Sequence, residues 1–272
     1  MPAWKRIVLR HYREALIALV LCWLVLVLGA VVGWWAPRGF WTGYLVASIF
    51  LTVLLNAWAR WQREKVVREA PLPQFLKRKL RDTYPGMSTK DCELVERGLR
   101  QFFLACLRSN KQFVAMPSRA VDVLWHEFIL HTKAYSDWCE LALGWFLHHT
   151  PAEALGPKAS SNDGLRRAWY WACRDEAIQP RDPSRLPLLF ALDAKLAIPA
   201  GFIYLANCSQ FATLGRPADS TTGNPHCATD FADGSYSGNS DSFGGAESSS
   251  SDSTSSSSDG GGDGGGCGGG GD

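Results

Sequence analysis

Two stretches of about twenty residues, Leu16 to Trp35 and Phe40 to Ala59, contain no formally charged side chain. Each is long enough to cross a hydrocarbon core of roughly 30 Å as an α-helix. Between them lies only Ala36-Pro37-Arg38-Gly39, a turn of Pro and Gly that cannot continue a helix. A connection that short makes the two spans antiparallel neighbours, so the expected structure is a transmembrane helical hairpin.

The basic residues orient it. Lys5, Arg6, Arg10 and Arg13 precede the first span, Arg60, Arg63, Lys65 and Arg68 follow the second, and the turn has Arg38 alone. The positive-inside rule then puts both termini in the cytoplasm. Trp34, Trp35, Phe40 and Trp41 at the turn, with Trp4, Trp58 and Trp61 at the other end, supply an aromatic belt at each interface. Gly29/Gly33 and Gly43/Ala47 place small residues four apart, a spacing that lets helices approach closely or associate between copies. A cleaved signal peptide is disfavoured, because the first run is too long, ends on bulky tryptophans and lacks a small-residue cleavage site.

Beyond the hairpin the composition changes twice. From Arg216 onward nine acidic residues face Arg216 alone, a net charge of −8 within a chain of +2. That tail is dominated by Ser and Gly, with almost nothing apolar to offset the entropy of ordering it, so disorder is expected over 209–272. The remaining boundaries divide into a basic N-terminal segment (1–15), the hairpin (16–59), a basic juxtamembrane linker (60–87) and a helical domain (88–208). No basic motif interleaved with aromatics points to nucleic acid. The eight cysteines form no framework and no CxxC pair. In a reducing cytoplasm those of the domain read as small buried hydrophobes, with Cys267 exposed among glycines.

The domain reads as helix throughout, giving an all-α class. Ser88 opens a helix with apolar residues at 3.6-residue spacing through Leu107, and Ser118 caps the next, which carries Leu124, Trp125 and Phe128. Tyr135 to His149 reads as a third helix, Thr150-Pro151-Ala152-Glu153 as the capping box of another, and Gly164–Ala177 and Leu188–Leu196 as two more. Phe202–Leu205 is the best strand candidate.

Chemistry, if present, is concentrated between Ser118 and Pro151, which holds four of the six histidines. Asp122 and His126 are four apart and share a helix face; Glu127, His131 and Tyr135 share another. His126 and His131, five apart, diverge by about 140° on an ideal helix, and HEFILH lacks the HExxH spacing of a zincin. A divalent metal could assemble if His148 or His149 folded back onto Asp122 and His126. The competing reading is a packed core in which Asp122 orients a buried His126 among Trp125 and its aromatic neighbours. Cys139 lies two helical turns from His131, so a thiol–imidazole pair is not expected within one helix.

The segment PSRAVDVLWHEFILHTKAYSDWC…LGWFLHHTP resembles the block of the glycine-rich domain-containing protein-like family and its bacterial relatives, of the form VDxxWHxxxxxTxxYxxxC with a His-His-Pro-like end. Asp122, Trp125, His126, His131, Thr132, Tyr135, Cys139, His148 and His149 fill its places, with Thr150 interrupting the end before Pro151. Leu186 to Tyr204 is similar to the end of such bacterial domains. The resemblance implies no mechanism and no catalytic residues. It agrees with a Cys-punctuated glycine tail on a bacterial inner-membrane protein. The leading expectation is therefore a non-enzymatic scaffold or partner-binding module, anchored in the lipid bilayer and able to self-associate through the hairpin. The alternative is a metal-dependent enzyme or metal-binding protein using Asp122, His126 and His148 or His149. A third is a pH or redox sensor.

Overall fold

The computed structural model describes residues 3–34, 36, 39–149, 161–206 and 226–227. The protein is all-α, with eight helices and one two-residue strand pair among the described residues. The helices are α1 (Ala3–Val31), α2 (Phe40–Glu69), α3 (Phe75–Thr83), α4 (Thr89–Arg108), α5 (Arg119–Leu130), α6 (Thr132–Ala142), α7 (Ser161–Asp175) and α8 (Leu188–Lys195).

Helices α1 and α2 are both long and apolar enough to cross a membrane. Ile17, Leu21, Leu24 and Leu28 on one, and Val46, Ile49, Phe50 and Val53 on the other, stand exposed. A soluble monomer rarely presents so continuous an apolar surface. Trp23 Nε1 donates to Ser48 Oγ across the pair at 3.2 Å. Gly29 is buried, but Gly33 and Gly43 face open space, so the small-residue spacing does not close the hairpin at those two positions.

Helix α2 continues past the apolar run without a break, and here the 60–87 segment departs from a linker. Val66, Val67, Leu72, Leu76 and Leu80 are all buried in the domain core. The basic residues between them occupy the wet face of α3, whose apolar residues recur every four positions. The juxtamembrane stretch is thus the first layer of the domain.

Helix α4 is the hub, packing against α2, α3, α5, α7 and α8. Its start is fixed by a capping box: Asp91 N–H donates to Ser88 Oγ at 3.2 Å and Ser88 N–H to Asp91 Oδ2 at 2.9 Å. Val95, Leu99, Phe102, Phe103 and Cys106 then bury a wide stripe. Each large side chain contributes about 1.5–3 kcal/mol of burial. Gly98 permits the close approach, since a Cβ there would sit 2.3 Å from Leu192 Cδ1 of α8. Arg108 bridges Glu64 of α2 (2.7 Å) and Asp175 of α7 (3.5 Å), and Arg68 also pairs with Asp175.

The connection from α8 back to α5 is carried by one carboxylate. Asp193, only 2% exposed, accepts from Ser118 Oγ at 2.6 Å, Arg119 N at 2.7 Å, Ala120 N at 3.2 Å and Phe202 N at 3.0 Å. It thereby satisfies the orphan amides at the α5 N-terminus, where negative charge is also favoured by the helix dipole. Burial, with the nearby Asp193 charge second, pushes the Tyr204 phenol up.

Three further sequence readings change. Helix α6 ends at Ala142, not His149, because Gly144 adopts φ +82°; a Cβ there would lie 2.0 Å from the Arg63 guanidinium. Residues 145–149 leave it without helical structure. Within the stretch read as disordered tail, His226–Cys227 forms β2, paired in parallel with β1 (Tyr204–Leu205). Cys227 is disulfide-bonded, with its partner outside the described residues; a bridge stands where none was expected. The rest of the tail and the Thr150–Glu153 capping box lie outside the described residues.

Candidate functional site

The site is assembled from α5 and from the 145–149 segment that follows α6. Trp125 Nε1 donates to Tyr135 Oη at 3.0 Å, and Tyr135 Oη donates to Leu147 O at 2.7 Å. Trp125 and Tyr135 are buried, Leu147 is half-buried, and the Tyr135 ring meets buried Phe128 and exposed Phe146 edge to face. Burial holds the Tyr135 phenol far above its ordinary value, so it stays protonated and can donate to the carbonyl. This relay draws the segment back over α5, two residues before His149.

Of the two histidines that could fold back onto Asp122 and His126, His149 is the one that does. Its Nε2 lies 3.2 Å from Asp122 Oδ1, and its ring stacks obliquely on His126 at 4.2 Å and on Trp125 at 4.8 Å. His126 Nδ1 lies 2.9 Å from the Asp122 carbonyl and 3.3 Å from its Oδ2. A carbonyl only accepts, so Nδ1 is the donor in that bond and Nε2 points away from it. A backbone partner on one ring nitrogen is the arrangement that orients metal-ligating histidines. One ligand atom from each of Asp122, His126 and His149 falls within 4.8 Å of the other two. Side-chain exposures of 33%, 50% and 25% make the group reachable from solvent.

Asp122 and His149 also line a cleft of about 530 Å³. Its walls are apolar and aromatic, with Phe113, Met116, Trp145 and Phe202, and Lys111 and Arg119 are its cations. Lys111 adopts φ +70° and holds its ammonium 5.8 Å from the Trp145 ring. A long side chain in the left-handed region costs about 1–3 kcal/mol and gathers at binding sites. Two imidazoles and a carboxylate at the rim of such a cleft can hold a divalent cation with a position left open for a further ligand.

The other candidates go elsewhere. His148 lies in the cleft against Phe146 at 4.7 Å but outside the three-residue group. His131 Nδ1 donates to Glu127 O at 3.0 Å and its ring packs on Phe75 at 3.8 Å, joining α5 to α3 at the α5–α6 corner. Glu127 is part of that corner, away from Asp122. Cys139 is buried, and burial pushes its thiol up. The same holds for Cys106, and for Cys173, whose thiol is pushed up to about 12, chiefly by burial and then by Glu176. A nucleophilic thiol is the opposite: exposed and lowered.

Sequence reasoning passed over Asp193 and Arg63. The signal for Asp193 was present, a single carboxylate inside the apolar run Leu188–Leu196. Arg63 was counted as a topology-setting cation; instead it is buried, donating to Leu143 O at 2.9 Å and Leu9 O at 3.3 Å.

Fold and site together define a helical domain mounted on a membrane-competent hairpin, with an Asp/His/His group at the rim of an aromatic cleft. The chain belongs to the UCP032817-like family, whose model matches residues 62–231. That range starts at Gln62 near the end of α2 and takes in the whole site. No curated protein and no solved structure matches the chain.

Tyr135→Phe tests the relay. It strands the Leu147 carbonyl and the Trp125 indole N–H, each at a cost of about 1–3 kcal/mol, so urea unfolding followed by tryptophan fluorescence should show a loss of about 2 kcal/mol or more. Unchanged stability would mean that the relay does not hold the segment.

Proposed function

We propose that this protein is a membrane-anchored helical domain that binds a divalent metal through Asp122, His126 and His149. The observation that carries the reading is the return of His149 onto the Asp122–His126 face, with three ligand atoms within 4.8 Å of one another. The donor set of two imidazoles and one carboxylate suits zinc or non-haem iron, and the cleft leaves room for a substrate or partner group beside the ion. His148 is dropped from the ligand set. The likeness to the glycine-rich domain-containing protein-like family belongs to the same proposal, since the converging Asp122, Trp125, His126 and Tyr135 are the residues of its block.

A second reading is the scaffold or partner-binding module without chemistry of its own. It is supported by the buried thiols of Cys106, Cys139 and Cys173, all pushed up rather than activated. The two readings separate on metal content. The full chain purified without chelators should carry about one divalent ion, and Asp122→Asn, His126→Ala and His149→Ala should each lose most of it in elemental analysis. Equal metal in wild type and all three variants would sink the metal reading and leave the scaffold.

We also propose that the hairpin crosses a bacterial inner membrane with both ends in the cytoplasm. The four basic residues on each flank against Arg38 alone support that orientation. A green fluorescent protein fused after Asp272 should fluoresce and alkaline phosphatase fused there should stay inactive; the reverse pattern would put the domain on the other side.

A further inference from the structure

A second cavity, of about 340 Å³, lies where α1 and α2 leave the apolar part of the hairpin and meet α6. Lys5 and Arg6 line it from α1, Gln62 and Lys65 from α2, and Leu141 closes it from the domain. Three cations face one carboxylate, Glu69, whose contact with Lys65 is long at 3.9 Å and exposed. Arg6 has no ion-pair partner among the described residues. A surplus of positive charge gathered in a cavity is the complement of an anion.

Gln62 makes the cavity more than a basic flank. Its side chain is almost wholly buried, at 3% exposure, yet its amide has no hydrogen-bond partner among the described residues. This amide lines the cavity, so a polar ligand there has a neutral N–H donor within reach beside the three cations. The level is also set: Trp4 stacks on Trp58 at 6.5 Å, and Trp61 lies beside Lys65. Tryptophans at a hairpin end lie among lipid headgroups, and basic pockets between spanning helices take acidic headgroups.

We infer that this cavity binds the phosphate of an acidic phospholipid. Lys5, Arg6 and Lys65 hold the phosphodiester charge, and the Gln62 amide donates to one of its oxygens. The lipid's acyl chains run along the exposed apolar faces of α1 and α2. Because Leu141 of α6 closes the cavity, the bound lipid bridges the anchor and the domain. The site is independent of the metal reading and shares no residue with it.

Native mass spectrometry of the detergent-solubilised full chain tests the assignment, with palmitoyl-oleoyl phosphatidylglycerol and phosphatidylcholine as probes. The wild type should retain one phosphatidylglycerol, with phosphatidylcholine bound at least tenfold more weakly. The combined Lys5→Gln, Arg6→Gln, Lys65→Gln variant should lose at least tenfold in phosphatidylglycerol binding. Gln62→Leu, which alters no charge and keeps the volume, should lose severalfold with its circular dichroism unchanged, and it decides the matter if the triple variant fails to fold. Neutralising Arg78, Lys79 and Arg81 on α3 should leave the adduct intact. Equal binding of the two lipids, undiminished binding by the triple and Gln62→Leu variants, or an equal loss on neutralising α3 would overturn the site. Displacement of the lipid by millimolar inorganic phosphate would overturn the lipid assignment in favour of a free anion.

Discussion

The relay from Trp125 through Tyr135 to the Leu147 carbonyl is the interaction on which the functional half of the structure depends. Its members sit on α5, on α6 and on the segment after Gly144, so three parts of the chain are fixed by one phenol. Hydrogen bonds of this kind are stabilising mainly because their partners are buried and have no water to turn to. That same desolvation keeps the phenol protonated, which is what lets it donate. The polar members of the Asp122, His126 and His149 group lie on the outer side of the aromatic layer that the relay anchors.

The segment is also held from the membrane side. Arg63 of α2 reaches the Leu143 carbonyl, Arg13 of α1 the Gly144 carbonyl at 3.1 Å, and Arg10 pairs with Glu140 at 2.8 Å. Gly144 must remain glycine for two separate reasons, its φ of +82° and the guanidinium packed where a side chain would go. The hairpin is therefore a structural neighbour of the site, five residues of chain from His149. An anchor read as a passive tether would have no reason to grip the C-terminal end of α6 with both of its helices.

Much of this was legible in the residues. Two uncharged runs separated by Pro and Gly left little alternative to a hairpin, and Ser88 and Ser118 marked helix starts that the structure keeps. The four-residue spacing of Asp122 and His126 is a local property of a helix, so it could be read directly. What could not be read is where a non-helical segment returns. His148 and His149 were equivalent by spacing, and only the positive-φ turn at Gly144 and the Tyr135–Leu147 bond decide between them. The 60–87 stretch misled through its basic composition, because the apolar positions Val66, Leu76 and Leu80 that bury it are spread between charges. Asp193 and Arg63 belong to long-range contacts, and nothing in their immediate sequence names the partner.

The central claim is that His126 and His149, from separate parts of the chain, serve one ion beside Asp122. Electron spin echo spectroscopy of the copper(II)-loaded full chain counts the imidazoles bound to the metal. Two coupled imidazoles in the wild type, falling to one in both His126→Ala and His149→Ala, is the predicted result. No coordinated imidazole, or a count that neither substitution changes, would contradict it.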